Sequence, residues 1–143
     1  MLKYLIIYIC LIGLSGCAPS LNEKYLNAAE ENNIDVINIY LEEGNDINFR
    51  DDYGWSAMHY AVLHSNIEIV KILLNKNAQI NIKDNSGWTP MHVCALTGNV
   101  KIFDLLLSND ADPFALDLNG HDPFSLTHLN EIKIRISKLK NFK

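Results

Sequence analysis

GWSAMHYAVLHSNIEIVKILLNKNAQIN, residues 54–81, lies over GWTPMHVCALTGNVKIFDLLLSNDADPF, residues 87–114, when the chain is shifted by 33 positions. Trp55 falls on Trp88, Met58 on Met91, His59 on His92, Asn66 on Asn99 and Leu73-Leu74 on Leu106-Leu107, with Asp51 on Asp84 just ahead. A period of this length marks stacked supersecondary units, none of which can bury its apolar face alone. Gly54 and Gly87 follow short polar stretches, as a tight turn requires. Met58, Ala61 and Val62 then recur at helical spacing. After Ser65-Asn66 a second set, Ile69, Ile72 and Leu73, does the same. Each unit therefore reads as turn, short helix, turn, second helix. Helices this short do not persist alone in water, so stacking must bury their faces.

The ends are atypical, as the end units of such stacks usually are. Ala28-Ala29 aligns with Ala61-Val62, and Ile34–Leu41 with Ile67–Leu74, so residues 21–47 form a first helix pair without a leading turn of its own. At the other end Asp117, Gly120 and Asp122-Pro123-Phe124 begin a fourth unit, with His121 in the Trp position and Glu131 where Gly98 stands. Ile132, Ile136 and Leu139 share one helix face, which predicts a final capping helix. The alternation of Ile132, Ile134 and Ile136 also suits a strand.

The residues of the third unit resemble the ankyrin repeat. Asp84, Gly87, Thr89-Pro90-Met91-His92, Gly98, Leu106-Leu107 and Ala111-Asp112 match its signature, with Met91, Cys94 and Asp110 as departures. The second unit departs further, with Ser56-Ala57-Met58-His59 for the tetrapeptide and Ser65 for the inter-helix Gly. The resemblance implies an all-α ankyrin solenoid of helix pairs joined by short β-hairpin turns. It divides the domain 21–143 into an N-terminal cap (21–47), repeats at 48–80 and 81–113, and a C-terminal cap (114–143). The departures from the signature imply a less rigid array than an ideal one. His59 and His92 are implied to hydrogen-bond backbone between units. The spacing of stacked helices, about 10 Å, is too wide for the two to share a metal ion.

The first sixteen residues are different in kind. Lys3 precedes an apolar run of eleven residues, Tyr4–Leu14. That is too short to span a bilayer, which needs roughly 20 residues, and suits the apolar region of a signal peptide, residues 1–16. Leu14-Ser15-Gly16-Cys17 resembles a bacterial lipobox. The resemblance implies cleavage before Cys17 and lipidation of that residue, and two or three acyl chains anchor stably where one does not. Ala18, rather than Asp, follows the Cys, which points to the outer membrane, facing the periplasm. Ser20 and Glu23 form a Ser-x-x-Glu capping box, so the first helix begins at Leu21 after a tether of only residues 17–20. Cys10 leaves with the leader and Cys17 takes the lipid, so Cys94 alone remains, without a partner for an internal disulfide.

No catalytic pattern stands out. There is no Gly-x-Ser-x-Gly and no glycine-rich phosphate loop, and the histidines have no Cys/His spacing around them. Cofactors, metals and enzymatic activity are not expected. Cys94 sits at a small-residue position of an inner helix and reads as a buried, inert thiol. The formal net charge of −5 argues against nucleic acid. Residues 17–130 carry 6 Lys/Arg against 16 Asp/Glu, and residues 131–143 carry 5 against 1. The acidic body can steer a basic partner. The basic end either meets anionic lipid or pairs with a helix C-terminus.

A protein partner is the remaining expectation, bound by a monomer. In ankyrin proteins the position of Trp55 and Trp88 lies on the turn side and varies with the partner. The two indoles, with Tyr53 beside them, are candidate anchors, since Trp and Tyr dominate interface hot spots. On that reading, replacing both Trp by Ala weakens capture and leaves the thermal midpoint nearly unchanged. The other reading has each indole fold onto the neighbouring turn and stiffen it. The resemblance implies that Tyr60, Leu63, His64, Val93, Leu96 and Thr97 of the first helices face a partner. Arg50, Asp52, Lys83 and Asn85 line the turns. Some ankyrin lipoproteins of bacteria neutralise toxins, so an immunity role is expected, with a scaffold for a periplasmic enzyme, such as one against oxidative stress, as the alternative.

Overall fold

A computed structural model describes residues 18–140; Cys17 and the leader lie outside them. The described residues form eight helices: α1 (Leu21–Glu30), α2 (Ile34–Glu42), α3 (Ala57–Leu63), α4 (Ile67–Asn75), α5 (Pro90–Thr97), α6 (Val100–Leu107), α7 (Pro123–Leu126) and α8 (Asn130–Lys140). The helices pack as antiparallel pairs. The inner row α1, α3, α5, α7 stacks in chain order, with α2, α4, α6 and α8 behind it. The result is an all-helical solenoid, as the 33-residue period predicts. No strand forms among the described residues. The expected hairpins are reduced to tight turns, with one bridge between Arg50 and Ser56.

Local chemistry explains each boundary. Ser20 accepts the Glu23 backbone N–H at 3.1 Å and the Glu23 carboxylate accepts in return, so α1 starts where the capping box places it. Asn33 and Asn99 cap α2 and α6 by accepting the N–H of Val36 and Ile102. Most helices end in a residue with positive φ, followed by a backbone bond that reaches five residues back. Examples are Asn66 N–H to the Ala61 carbonyl at 2.8 Å and Ala111 N–H to Leu106 at 3.1 Å. Gly98 supplies that conformation after α5 (φ 76°), but Ser65, Asn77 and Asp110 adopt it with a side chain (φ 61°, 61° and 65°). Each such non-glycine costs roughly 1 kcal/mol, so the departures from the signature leave the turn geometry intact and lower its stability.

The core runs the length of the stack through Leu26, Met58, Met91, Ile69, Ile102 and Leu106. At the N-terminal end the rings of Tyr25 and Tyr40 stack at 3.9 Å, both at most 1 % exposed. At the other end Ile132 and Ile136 are fully buried on α8, so this segment is the capping helix and not a strand. Arg135 fastens it by donating two parallel bonds to Asp104 of α6, at 2.7 and 3.0 Å. The helix opening the fourth unit is short: α7 ends at Leu126, and Thr127 leaves it in extended conformation.

His59 and His92 are fully buried between units. Nδ1 of His59 accepts the Ser56 backbone N–H at 3.2 Å, so the ring proton sits on Nε2, which donates to the Trp88 carbonyl at 3.1 Å. His92 repeats the arrangement with Thr89 and the His121 carbonyl. Burial pushes both imidazoles below the usual histidine value of 6.5. Between that value and the lowered one, the unfolded chain binds protons that the folded chain does not. Stability is therefore complete above about 6.5 and falls as pH drops below it. The urea midpoint should be lower at pH 5.5 than at 7.5, with His59→Gln and His92→Gln each flattening the slope. An unchanged slope in both variants would show that other groups carry the acid sensitivity.

Candidate functional site

The inner helices and the turns together line one face of the solenoid. Each turn opens on an aspartate. Oδ1 of Asp51, Asp84 and Asp117 accepts the backbone N–H groups two and four residues on, at 2.7–2.9 Å. These bonds are what the repeated Asp is for, and they hold the turn ready for the next unit.

The remaining carboxylate oxygen takes the indole. Trp55 Nε1–H donates to Asp84 at 3.0 Å and Trp88 Nε1–H to Asp117 at 3.2 Å, each one unit onward. Both rings are half-buried against the core. The indoles thus fold onto the neighbouring turn, the second of the two readings of the sequence, and replacing them by Ala removes part of the joint between units. Only the outer part of each ring is available to a partner. Burial opposes ionisation of Asp117, but the N–H groups of His121 and Asn119 and the Trp88 indole hold its carboxyl below the usual range.

Several other candidate residues also tie turn to turn. Arg50 donates to the Lys83 carbonyl at 2.9 Å, Lys83 to the Leu116 carbonyl at 2.9 Å, and Asn85 to the Asp52 carbonyl at 2.8 Å. The open polar groove of about 470 Å³ between Asn48, Arg50, Asn81 and Lys83 is crossed by this ladder. Tyr60 is half-buried, its ring 5.2 Å from Trp55 and its hydroxyl donating to Asp51 at 2.7 Å. Val93, at the register of Tyr60, is a correction: it is 1 % exposed and belongs to the core, so it cannot meet a partner. Cys94 is fully buried and donates weakly to the Asn99 carbonyl at 3.4 Å; burial pushes its thiol up to about 12, so it is inert as expected.

Arg50, Lys83 and Asn85 remain exposed despite the bonds that tie turn to turn, and Tyr53, Asp52, Leu63, His64, Leu96 and Thr97 also face water. Tyr53 is 76 % exposed at its turn tip. His64 lies 3.5 Å from Glu30 at the end of α1. Leu63 and Leu96 are 37 % and 50 % exposed, and Leu129, 44 % exposed, stands 33 residues after Leu96 but past the end of α7, beside Gly98. Leu129 is not among the candidate residues, because the end unit reads as an atypical cap with Glu131 where Gly98 stands. The signal was the same 33-residue shift that found the repeat: 63, 96, 129.

Among the described residues no group of three or more His, Cys, Asp or Glu is placed to hold a metal ion, and no helix is long and apolar enough to cross a membrane. The family model of ankyrin repeats, in three copies, matches residues 26–117. A comparison with curated proteins gives no match.

Proposed function

The chain belongs to the ankyrin-repeat family, whose repeats are protein–protein interaction modules, and we propose that this member is a lipid-anchored immunity protein of the outer membrane. Its inner face captures a toxin that reaches the periplasm. The observation that carries the binding role is the partial exposure of apolar side chains on the inner helices and turns, Tyr53, Leu63 and Leu96. The anchoring role rests on Leu14-Ser15-Gly16-Cys17 and on the capping box that starts α1 directly after Ser20. Three residues separate Cys17 from the helix and reach about 10 Å at most. The solenoid therefore works flush against its bilayer, where a membrane-active toxin must pass.

Feeding cells an alkynyl fatty acid should label the full chain, and Cys17→Ser should lose the label and move the protein to the soluble fraction. If a toxin gene lies beside its own, expressing the chain should then protect cells from that toxin. A long Gly/Ser insertion after Cys17 should reduce that protection and leave affinity in solution unchanged. Absence of label overturns the anchor. A labelled chain that gives no protection, yet raises survival under peroxide through a bound periplasmic enzyme, would replace immunity by the scaffold role.

A further inference from the structure

The turns form one edge of the solenoid, bonded tip to tip. Asn85 N–H donates to the Tyr53 carbonyl at 3.0 Å, and Leu118 N–H to the Ser86 carbonyl at 2.9 Å. Lys83 reaches along the same edge to the Leu116 carbonyl. The last turn differs in kind from the two before it. Where they carry Arg50 and Lys83 it has Leu116, and where they carry Asp52 and Asn85 it has Leu118. These leucines are 54 % and 77 % exposed and take no part in the core. The acids of this turn are engaged at its base. Asp112 accepts the Phe114 N–H, Asp117 accepts those of Asn119 and His121, and Asp122 caps α7 through the Ser125 N–H. The tip itself is apolar and uncharged.

The start of α1 lies on the same side of the molecule. Tyr40, near the end of α2, donates to Asn22 at 2.8 Å, and Tyr25 donates to the Ile47 carbonyl at 2.9 Å, just ahead of the first turn. At the opposite end Asn66, past α3, donates to the Ala29 and Glu30 carbonyls of α1. The two helices therefore run parallel, and residues 18–20 sit on the turn side. Leu21, the first residue of α1, is exposed there. Residues 127–129 alone join α7 to α8. A connection this short makes the two antiparallel, so the end of α8, with exposed Lys138, also returns towards the turns.

We propose that the last turn is a second membrane contact: Leu116 and Leu118 enter the interfacial layer of the bilayer that holds the anchor, with Lys83 and Lys138 towards its anionic headgroups. The proposal rests on the lipid anchor given above and adds how the body is oriented on it. The two contacts lie about 30 Å apart, three steps of roughly 10 Å between stacked helices. Between them Asp52 and Asn85 keep the earlier tips polar, at headgroup level. Two leucines cover far less than the roughly 1,200 Å² that a stable protein interface buries, so they cannot hold a second copy by themselves. Beside a surface to which the chain is already tethered they need not supply the affinity alone. Leu63 and Leu96 stand at the far ends of α3 and α5, clear of the bilayer and open to a partner.

The test places the full chain, purified from cells, in vesicles of phosphatidylethanolamine and phosphatidylglycerol. Asn119→Cys carries an environment-sensitive fluorophore at the last tip. Glu68→Cys carries it at the start of α4, on the side away from the turns. A lipid with a nitroxide near its headgroup should quench the first several-fold more than the second. Leu116→Ser with Leu118→Ser should abolish that difference and leave the thermal midpoint unchanged, since both side chains are exposed. Phosphatidylcholine in place of phosphatidylglycerol, or Lys138→Glu, should weaken the quenching. Equal quenching at the two positions, in a chain that carries the fatty-acid label, overturns the second contact and leaves the anchor standing. A chain without that label overturns both. Dimers in micelles that the leucine variant dissociates would assign the tip to a second copy, and toxin capture in micelles lost in that variant would assign it to a protein partner; either result overturns the proposal.

Discussion

Gly54→Ala should lower stability by about 2–4 kcal/mol, whereas Gly44→Ala should cost only about 1 kcal/mol. Both glycines have positive φ, 82° and 77°, so each alanine bears the left-handed strain of roughly 1 kcal/mol. The difference is what the new methyl meets. At Gly44 nothing lies within 4 Å. At Gly54 the methyl would sit 2.6 Å from Asn85 Oδ1 and 2.7 Å from the Asn85 backbone nitrogen, with the Asp84 carbonyl carbon at 3.0 Å. Those backbone atoms cannot retreat freely. Asn85 N–H donates to the Tyr53 carbonyl at 3.0 Å, and Asp84 is held by the indole of Trp55. The two turns must separate for the methyl to fit, which adds an overpacking penalty of about 1–3 kcal/mol. Urea unfolding of the two variants measures the contrast. Equal losses would mean that the turns stack more loosely than the geometry indicates.

Tyr25→Ala should cost about 3–5 kcal/mol, the range for deleting a buried aromatic ring, and Tyr25→Phe about 1 kcal/mol. The ring is fully buried and lies nearly parallel to that of Tyr40, at an angle of 7°. Its hydroxyl donates to the Ile47 carbonyl at 2.9 Å, and that of Tyr40 to Asn22 at 2.8 Å, so the pair also closes the two ends of the first unit. Phe keeps the stacked ring and loses only the bond. In a solenoid each unit touches only its neighbours, so the damage should stay at that end. Amide hydrogen exchange in α1 and α2 should rise well above that in α5 and α6 for Tyr25→Ala. A uniform rise along the chain would show that the stack unfolds as one piece and that the first unit has no separate stability.

How much of this was legible depended on whether the determinant was local. The capping box at Ser20, the aspartates that open the turns and the period that joins Trp55 to Trp88 each need only a few residues in the right order. The capping helix over Ile132 and Ile136 was legible but ambiguous, because two apolar residues four apart fit a helix and residues two apart fit a strand. Burial of both on one helix face, with Ile134 left 55 % exposed, is decided by what α6 presents to them. The candidate binding face was read less well. Val93 and Tyr60 hold the same register, yet one is covered and the other half-open, since cover comes from the next unit and the units differ. Whether the indoles of Trp55 and Trp88 stand free or fold onto the next turn is open in the sequence; the carboxylates of Asp84 and Asp117, 29 residues on, accept their N–H hydrogen bonds.

The sequence by itself determined the repeat, its helix pairs and the positions of its turns. Those follow from side-chain periodicity and from backbone preferences that act over a few residues. The tertiary structure decided which equivalent positions face a neighbour and which face water, and that the polar turn residues serve mainly to join units. Exposure is a property of the stack: a side chain is open only if the adjoining unit lacks the atoms to cover it, and no single repeat contains that information.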